Sequence, residues 1–324
     1  MEIMKAIRVH TQGGPEVLQY EEVSAPKPGN GEALVELKAA GVNYTDIYTR
    51  SGWSPAKLPV TLGVEGAGVV SAVGEGVSEV NVGDSVGYTG VMGSYAEFAV
   101  VPSGRLVKLP SGVDEKLAAS VLLQGMTAHY LSHDTFPLKS GHKALIHAGA
   151  GGVGLLLIQM AKQLGAYVIA TTSTEAKAAL AKEAGADHVI IYTKEDFENE
   201  VKKLTEGKGV NVVYDSVGKD TFDKSLKSLT RRGYLVLFGH SSGPVAPIAP
   251  TILSSGSLFM TRTSLGDHTA TRPELERRAA EVLDMVRSGK LKVRIFQTFP
   301  LPQAAEAHRL LESRQTTGKL LLTP

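Results

Sequence analysis

Short apolar runs, each closed by a cluster of turn residues, fill the first third of the chain. Residues 6–9 are followed by Gly13-Gly14-Pro15, residues 33–39 by Gly41, residues 67–73 by Gly74-Glu75-Gly76, and residues 95–101 by Pro102. This Gly/Pro punctuation predicts a strand-rich, partly closed sheet up to about Pro110. Val82-Gly83-Asp84-Ser85-Val86-Gly87 reads as a tight turn between two of its strands. From Lys143 the rhythm changes. β-Branched runs begin near Lys143, Tyr167, His188, Val210, Tyr234 and Leu258, about 21 to 24 residues apart. Helix-like segments lie between them at 152–164, 175–184, 196–205 and 220–229. No side-chain signature recurs at that spacing, so the pattern predicts βα units and a parallel, doubly wound sheet rather than a repeat array. After Gly266 comes a charged helix over 273–287 and a mixed tail, too short for a domain of its own and expected to pack back on the N-terminal sheet.

Composition narrows the classes. A length of 324 residues suggests two domains. With 34 Lys+Arg against 33 Asp+Glu the net charge is +1, so no basic field exists to recruit nucleic acid or anionic lipid. The absence of cysteine excludes disulfides, thiolate catalysis, Fe–S clusters and cysteine-ligated zinc. No stretch approaches the ~18–20 apolar residues of a membrane span; the best candidate, at 155–158, is interrupted by Gln159. Residues 1–10 lack the apolar core of a signal peptide. A soluble, cytoplasmic protein is expected.

The strand at 143–147 runs into His147-Ala148-Gly149-Ala150-Gly151-Gly152-Val153-Gly154, followed by an apolar helix. Gly149-x-Gly151-x-x-Gly154 is a dinucleotide fingerprint in its strand–turn–helix setting, with Gly152 and Val153 in the same loop. The early glycines allow a tight turn and close backbone approach to a pyrophosphate. Gly154 lets the helix sit against the strand, and the helix N-terminus offers free N–H groups and a positive dipole end. The second strand ends in Thr171-Thr172-Ser173-Thr174, without the acid that would hold the ribose 2′-OH of NAD. Glu175, the nearest acid, falls in the first helical turn, where it complements the dipole. Hydroxyl residues followed by Lys177 suit a 2′-phosphate, so NADPH is the expected cofactor. Lys177 also fits an ordinary solvated helix lysine; the missing acid favours the phosphate role.

Asn43-Tyr44-Thr45-Asp46, Gly63-Val64-Glu65-Gly66-Ala67-Gly68, Val82-Gly83-Asp84, the phosphate loop, Tyr214-Asp215-Ser216-Val217-Gly218 and Glu312-Ser313-Arg314 follow one another in an order that resembles the medium-chain dehydrogenase/reductase superfamily. Within it the chain is similar to the zinc-independent quinone oxidoreductases of the zeta-crystallin type. The resemblance implies an α/β protein: a GroES-like β-rich catalytic domain at 1–123 and 267–324, and a Rossmann NADPH-binding domain at 124–266. The superfamily's zinc-dependent alcohol dehydrogenases carry cysteine where this chain has Asn43, histidine where it has Val64, and a four-cysteine cluster that nothing here replaces. Nine histidines remain; His129 and His133 stand four apart with no third ligand, the pattern of surface polar residues. No metal is expected. Without a Lewis acid an alkoxide is hard to stabilise, so quinones and activated double bonds fit better as acceptors.

The same resemblance implies that Asn43 and Tyr48 lie near the nicotinamide and that Tyr130 and Arg314 contact the cofactor. It places Ser173, Lys177 and Tyr192 around the 2′-phosphate, and Ser216, Phe238, Ser241 and Ser264 on loops along the cofactor edge. Tyr48 is the group expected to orient the acceptor oxygen. Structural readings stand beside these: Asn43 as N-cap of a helix at 44–50, Tyr192 as a strand end, Ser216 as a cap or turn, Arg314 in a tail ion pair. The expected activity is NADPH-dependent quinone reduction, with enone or alkenal double-bond reduction as the rival. The likeness to zeta-crystallin also raises RNA binding, and an NADPH sensor without turnover is a third reading. A basic cluster such as Arg231-Arg232 is too small for an RNA-tracking groove. A homodimer is expected through the strand at 258–261, whose apolar edge would otherwise face water.

Overall fold

The chain opens with β1 (Ile3–Val9), paired antiparallel with β2 (Gln19–Ser24). It continues through β3 (Glu32–Val42), α1 (Tyr44–Ser51), β4 (Val60–Thr61), β5 (Glu65–Val73), β6 (Ser85–Thr89), β7 (Phe98–Pro102), β8 (Val107–Lys108) and α2 (Glu115–Tyr130). Along β3, buried Ala33, Val35 and Leu37 alternate with less buried neighbours, and every residue from Ala39 to Val42 is buried. Its second half therefore lies in the interior, where α1 begins. The predicted turn at 82–87 ends earlier, at Asp84. Gly83 takes a left-handed φ of 93° and donates its N–H to the Val70 carbonyl, and β6 starts at Ser85.

Next come β9 (Lys143–Ile146), α3 (Gly152–Gln163), β10 (Tyr167–Thr172), α4 (Glu175–Glu183), β11 (His188–Ile191), α5 (Phe197–Leu204), β12 (Val210–Asp215), α6 (Phe222–Lys227), β13 (Leu229–Leu237) and β14 (Phe259–Arg262). These six strands form one parallel sheet in the order β11-β10-β9-β12-β13-β14. The order reverses between β9 and β12, the switch point beside which open α/β sheets bind ligands. Leu145, Ile169, Val213 and Leu235, from four adjacent strands, are fully buried in its core. The helix expected at 220–229 is shorter and the fifth strand begins at Leu229, not near Tyr234. The Asp215 carboxylate accepts the N–H groups of Val217 and Gly218 and the Thr221 hydroxyl, which holds the segment before Phe222 as a turn.

The chain returns through α7 (Arg272–Arg287), β15 (Ile295–Pro300), α8 (Ala304–Glu312) and β16 (Lys319–Thr323). β16 pairs antiparallel with β3, setting Leu321 opposite Gly41, so the tail joins the N-terminal sheet. That sheet runs β15-β16-β3-β5-β6-β8, with β7 also on β3. This computed structural model describes residues 3–324 and comprises two units: one ends at Leu123 and resumes over Thr269–Pro324, the other is Gln124–His268. Among the described residues no helix is long and apolar enough to cross a membrane.

Candidate cofactor and active site

In the second unit, β9 delivers the chain into the glycine loop and α3 starts at Gly152, with Gly151 as its extended N-cap. The left-handed residue of the loop is Ala148 (φ 51°) rather than a glycine, and the Gly151 N–H closes the turn on the Ala148 carbonyl at 2.8 Å. What the glycines supply is room. A Cβ on Gly154 would collide with the Ala148 carbonyl oxygen and lie 2.9 Å from the Gly149 Cα, both backbone atoms that cannot rotate away. Val153 is the second residue of α3 and is half-buried.

Beneath the loop lies a buried polar chain that sequence reasoning missed. His147 Nε2 is 3.0 Å from Ser225 Oγ, and Ser225 donates its proton to Asp215 at 2.8 Å. Nε2 must therefore carry the imidazole proton, and Nδ1 accepts from the Thr171 hydroxyl at 2.9 Å. Burial pushes the His147 pKa down, consistent with this neutral tautomer. The chain ties the ends of β9, β10 and β12 together, where the loop departs.

At the end of β10, Thr174 accepts the Lys177 N–H and caps α4. Glu175 occupies the first turn and pairs with Lys194 at 2.7 Å. Lys177 is half-buried, and burial lowers its pKa. Tyr192 lies just past β11, with its N–H on the Thr172 carbonyl, and the Thr193 hydroxyl donates to the Ser173 carbonyl. Ser173, Lys177 and Tyr192 thus share one corner. There the buried Thr172 hydroxyl has no hydrogen-bond partner among the described residues. A clear backbone cradle and an unpaired hydroxyl fit a dinucleotide.

Past β12 and β13, the Ser241 N–H bonds the Ser216 carbonyl and the Phe238 N–H bonds the Asp215 carbonyl, which brings these three candidates together. Thr221 is the N-cap residue of α6, and Asp215 rather than Ser216 holds the turn before it. Tyr130 and Ser264 form a separate group: the buried Tyr130 ring stacks on His268 at 4.2 Å, and Ser264 donates to Asp267 in the same turn. His129 and His133 are not surface residues as expected; His129 is buried, and the two rings stack 4.1 Å apart.

The first unit holds Asn43, Tyr48 and Arg314. Asn43 precedes α1, and its N–H is capped by Asp46 at 2.8 Å. The Asn43 side chain turns inward instead: Nδ2 donates to the Gly41 carbonyl (3.1 Å) and to Glu65 Oε2 (2.9 Å), while Oδ1 accepts from Lys319 Nζ (2.7 Å). Lys319 also reaches Glu65 Oε2 at 2.6 Å, and both residues are almost completely buried. Tyr48 is buried and stacks on half-exposed Trp53, the one tryptophan of the chain, with centroids 5.7 Å apart. Arg314 is exposed, in a left-handed conformation (φ 58°) just after α8.

Helices α1 and α8 are tied by a second network, buried at Arg50, Asp46, Tyr95 and His308 and open to solvent at Glu312. Arg50 grips Glu312 with two hydrogen bonds of 3.0 and 2.7 Å, and Tyr44 donates to the Leu311 carbonyl. Tyr95 donates to Asp46 at 2.9 Å, so His308 Nε2 donates to the Tyr95 oxygen and Nδ1 accepts from Arg50. Burial and the Arg50 charge push the His308 pKa down to about 3. Burial pushes Asp46 up to about 7, against the lowering effect of its two donors. Lys319, Glu65, His308 and Trp53 carried no signal in the spacing of the sequence; a lysine leading into Leu-Leu-Leu was the only hint.

The set around Asn43 does not fit zinc. Val64 offers no ligand atom, and the oxygens of Asn43 and Glu65 already bind an ammonium. Among the described residues no group of three or more His, Asp or Glu could hold a metal.

Comparison with known proteins bears on both sites. The family model described as an alcohol dehydrogenase GroES-like domain matches residues 29–111, and that described as a zinc-binding dehydrogenase matches residues 152–284. The quinone oxidoreductase of Pseudomonas aeruginosa is 46% identical, over 99% of both chains. A 2-haloacrylate reductase from Burkholderia is 41% identical, again over 99% of both. The crystal structure of Escherichia coli quinone oxidoreductase complexed with NADPH superposes with a TM-score of 0.97 at 44% identity, covering 99% of this chain and 100% of that one. The chain belongs to the zinc-independent quinone oxidoreductases of the medium-chain dehydrogenase/reductase superfamily.

Proposed function

We propose that this chain is an NADPH:quinone oxidoreductase that works without a metal. The observation that carries this reading is the glycine cradle at the start of α3, beside a second strand that ends in hydroxyl groups rather than an acid. NADPH, when bound, supplies a hydride from its nicotinamide. The residues of the chain then have to bind, orient and exclude water. Gly149, Gly151, Gly152, Val153 and Gly154 receive the pyrophosphate on backbone N–H groups. Ser173, Lys177 and Tyr192 hold the 2′-phosphate, and Ser216, Phe238, Ser241, Ser264 and Tyr130 line the remaining cofactor edge. In the first unit Arg314 faces the cofactor, and Asn43 lies near the nicotinamide through the backbone at the head of α1, its side chain staying on Glu65 and Lys319. Tyr48, backed by Trp53, orients the acceptor, and the reduced quinone takes its proton from water. Cofactor binding belongs to the domain at 124–266, and acceptor binding to the domain at 1–123 and 267–324.

A second reading, reduction of an electron-poor C=C bond, is favoured by the relative named 2-haloacrylate reductase. NADPH oxidation followed with benzoquinone, naphthoquinone, enals, enones and 2-chloroacrylate separates the two. The quinones should show the highest kcat/KM; a higher value for 2-chloroacrylate or an enal would favour the second reading. We further assign the enzyme to the cytoplasm, as a homodimer paired through β14. That edge strand exposes Phe259 and Met260, an apolar edge that invites a partner strand. Light scattering should give twice the chain mass of 34.3 kDa; the single mass would refute the dimer.

A further inference from the structure

The residue that closes the acceptor half of the site is Lys319. Its ammonium bonds Asn43 Oδ1 at 2.7 Å and Glu65 Oε2 at 2.6 Å, and Lys319 is 1% exposed while Glu65 is fully buried. Glu65 accepts twice more, from Asn43 Nδ2 at 2.9 Å and from the backbone N–H of Leu123 in α2 at 2.7 Å. The fold makes room for this carboxylate. A Cβ on Gly41 would collide with Glu65 and lie 2.6 Å from the Ala119 carbonyl oxygen. Both Asn43 amide protons are already donated and its carbonyl is engaged, so its side chain has no donor left for a ligand.

Buried ion pairs seldom add stability over well-packed apolar residues, because desolvation offsets the attraction. The retained pair points to geometry. We propose that Lys319 is a positioning residue: a resident cation that locks Asn43 and Glu65 and so sets the start of α1 and the placement of Tyr48. It holds the neighbouring donors without polarising the acceptor. The inference rests on the quinone-reductase reading.

The test compares wild type, Lys319→Met/Glu65→Gln and Lys319→Arg. The double variant removes both charges together and leaves no buried charge unpaired. Its kcat with benzoquinone should fall about ten- to a hundredfold, the scale of a small misplacement of a reacting group, while the KM for NADPH stays within about twofold. Lys319→Arg, which keeps a cation, should recover part of the loss. Trp53 gives a second readout that needs no turnover, because its ring stacks on Tyr48. Its emission maximum and acrylamide quenching should change in the folded double variant and return toward wild type in Lys319→Arg. Wild-type kcat together with unaltered Trp53 emission in the double variant would overturn the proposal. If wild type itself fails to oxidise NADPH with any quinone, the functional reading has failed; the Trp53 comparison still decides the positioning role.

Discussion

The two proposed binding regions, one in each unit, are built from different materials. Around the glycine loop the second unit uses backbone amides, hydroxyls and a neutral His147, with one buried carboxylate, Asp215, held by neutral donors alone. Around Asn43 and α1 the first unit uses ion pairs: Lys319 against Glu65, both buried, and buried Arg50 against the more exposed Glu312. Dipoles and small side chains can be weakened by degrees, and the room they leave is what a cofactor enters. Charges removed from water are all-or-none, since losing one partner strands the other at a cost of about 3–5 kcal/mol. The phosphate site should therefore fail through sterics and single contacts, and the acceptor site through broken pairs.

The largest expected effect is steric. Gly154→Ala places a methyl group on the Ala148 carbonyl, so the loop must shift. Overpacking of this kind costs about 1–3 kcal/mol before any donor bond is lost. The Kd for NADPH should rise about a hundredfold or more, with the first unit unaffected. Retained affinity would mean that the loop yields, and the contrast between the two units would weaken.

Lys177→Ala probes a single contact. A charge-assisted hydrogen bond to the 2′-phosphate contributes about 1.5–3 kcal/mol, so wild type should prefer NADPH to NADH by about tenfold or more in kcat/KM at low salt. The variant should lose most of that preference with its NADH rate nearly unchanged. Equal losses with both cofactors would leave Lys177 as a helix surface residue.

The smallest effect sharpens the charged half through pH. Asp46 keeps its proton up to about pH 7 in the fold, whereas the unfolded chain releases it near 3.8. Its contribution to stability is therefore lost as pH rises through that window. His308, at about 3 in the fold against 6.5 ordinarily, acts in the other direction: the unfolded chain takes the proton first, so stability falls as pH drops below about 6.5. Asp46→Asn should accordingly gain on wild type as pH rises from 5 to 8, by a few degrees in Tm. A constant difference across that range would show that Asp46 does not titrate in the fold.

Legibility in the sequence followed the same divide. The phosphate loop is a contiguous stretch fed by one strand, so its residue types and their order state its chemistry. The missing acid after β10 could likewise be read directly, because it concerns one strand end. Asn43, Glu65 and Lys319 stand 22 and 254 positions apart along the chain. The β3–β5 and β16–β3 pairings bring them together, and no local pattern announces it. Asn43 reads as a helix N-cap and occupies that position of α1, in a capping box with Asp46, but nothing local announces that its side chain also bonds Gly41, Glu65 and Lys319. The helix expected at 220–229 is shorter at both ends: Asp215 holds the chain up to Thr221 as a turn, and β13 already begins at Leu229.

The central claim is that an ammonium, not a metal, is the fixed cation of the acceptor half. The measurement that tests it most directly is NADPH-driven benzoquinone reduction by protein dialysed exhaustively against a chelator, with zinc content determined on the same sample. Full activity with zinc far below one atom per chain is the predicted result. Activity that disappears with the chelator and returns when zinc is added would contradict it.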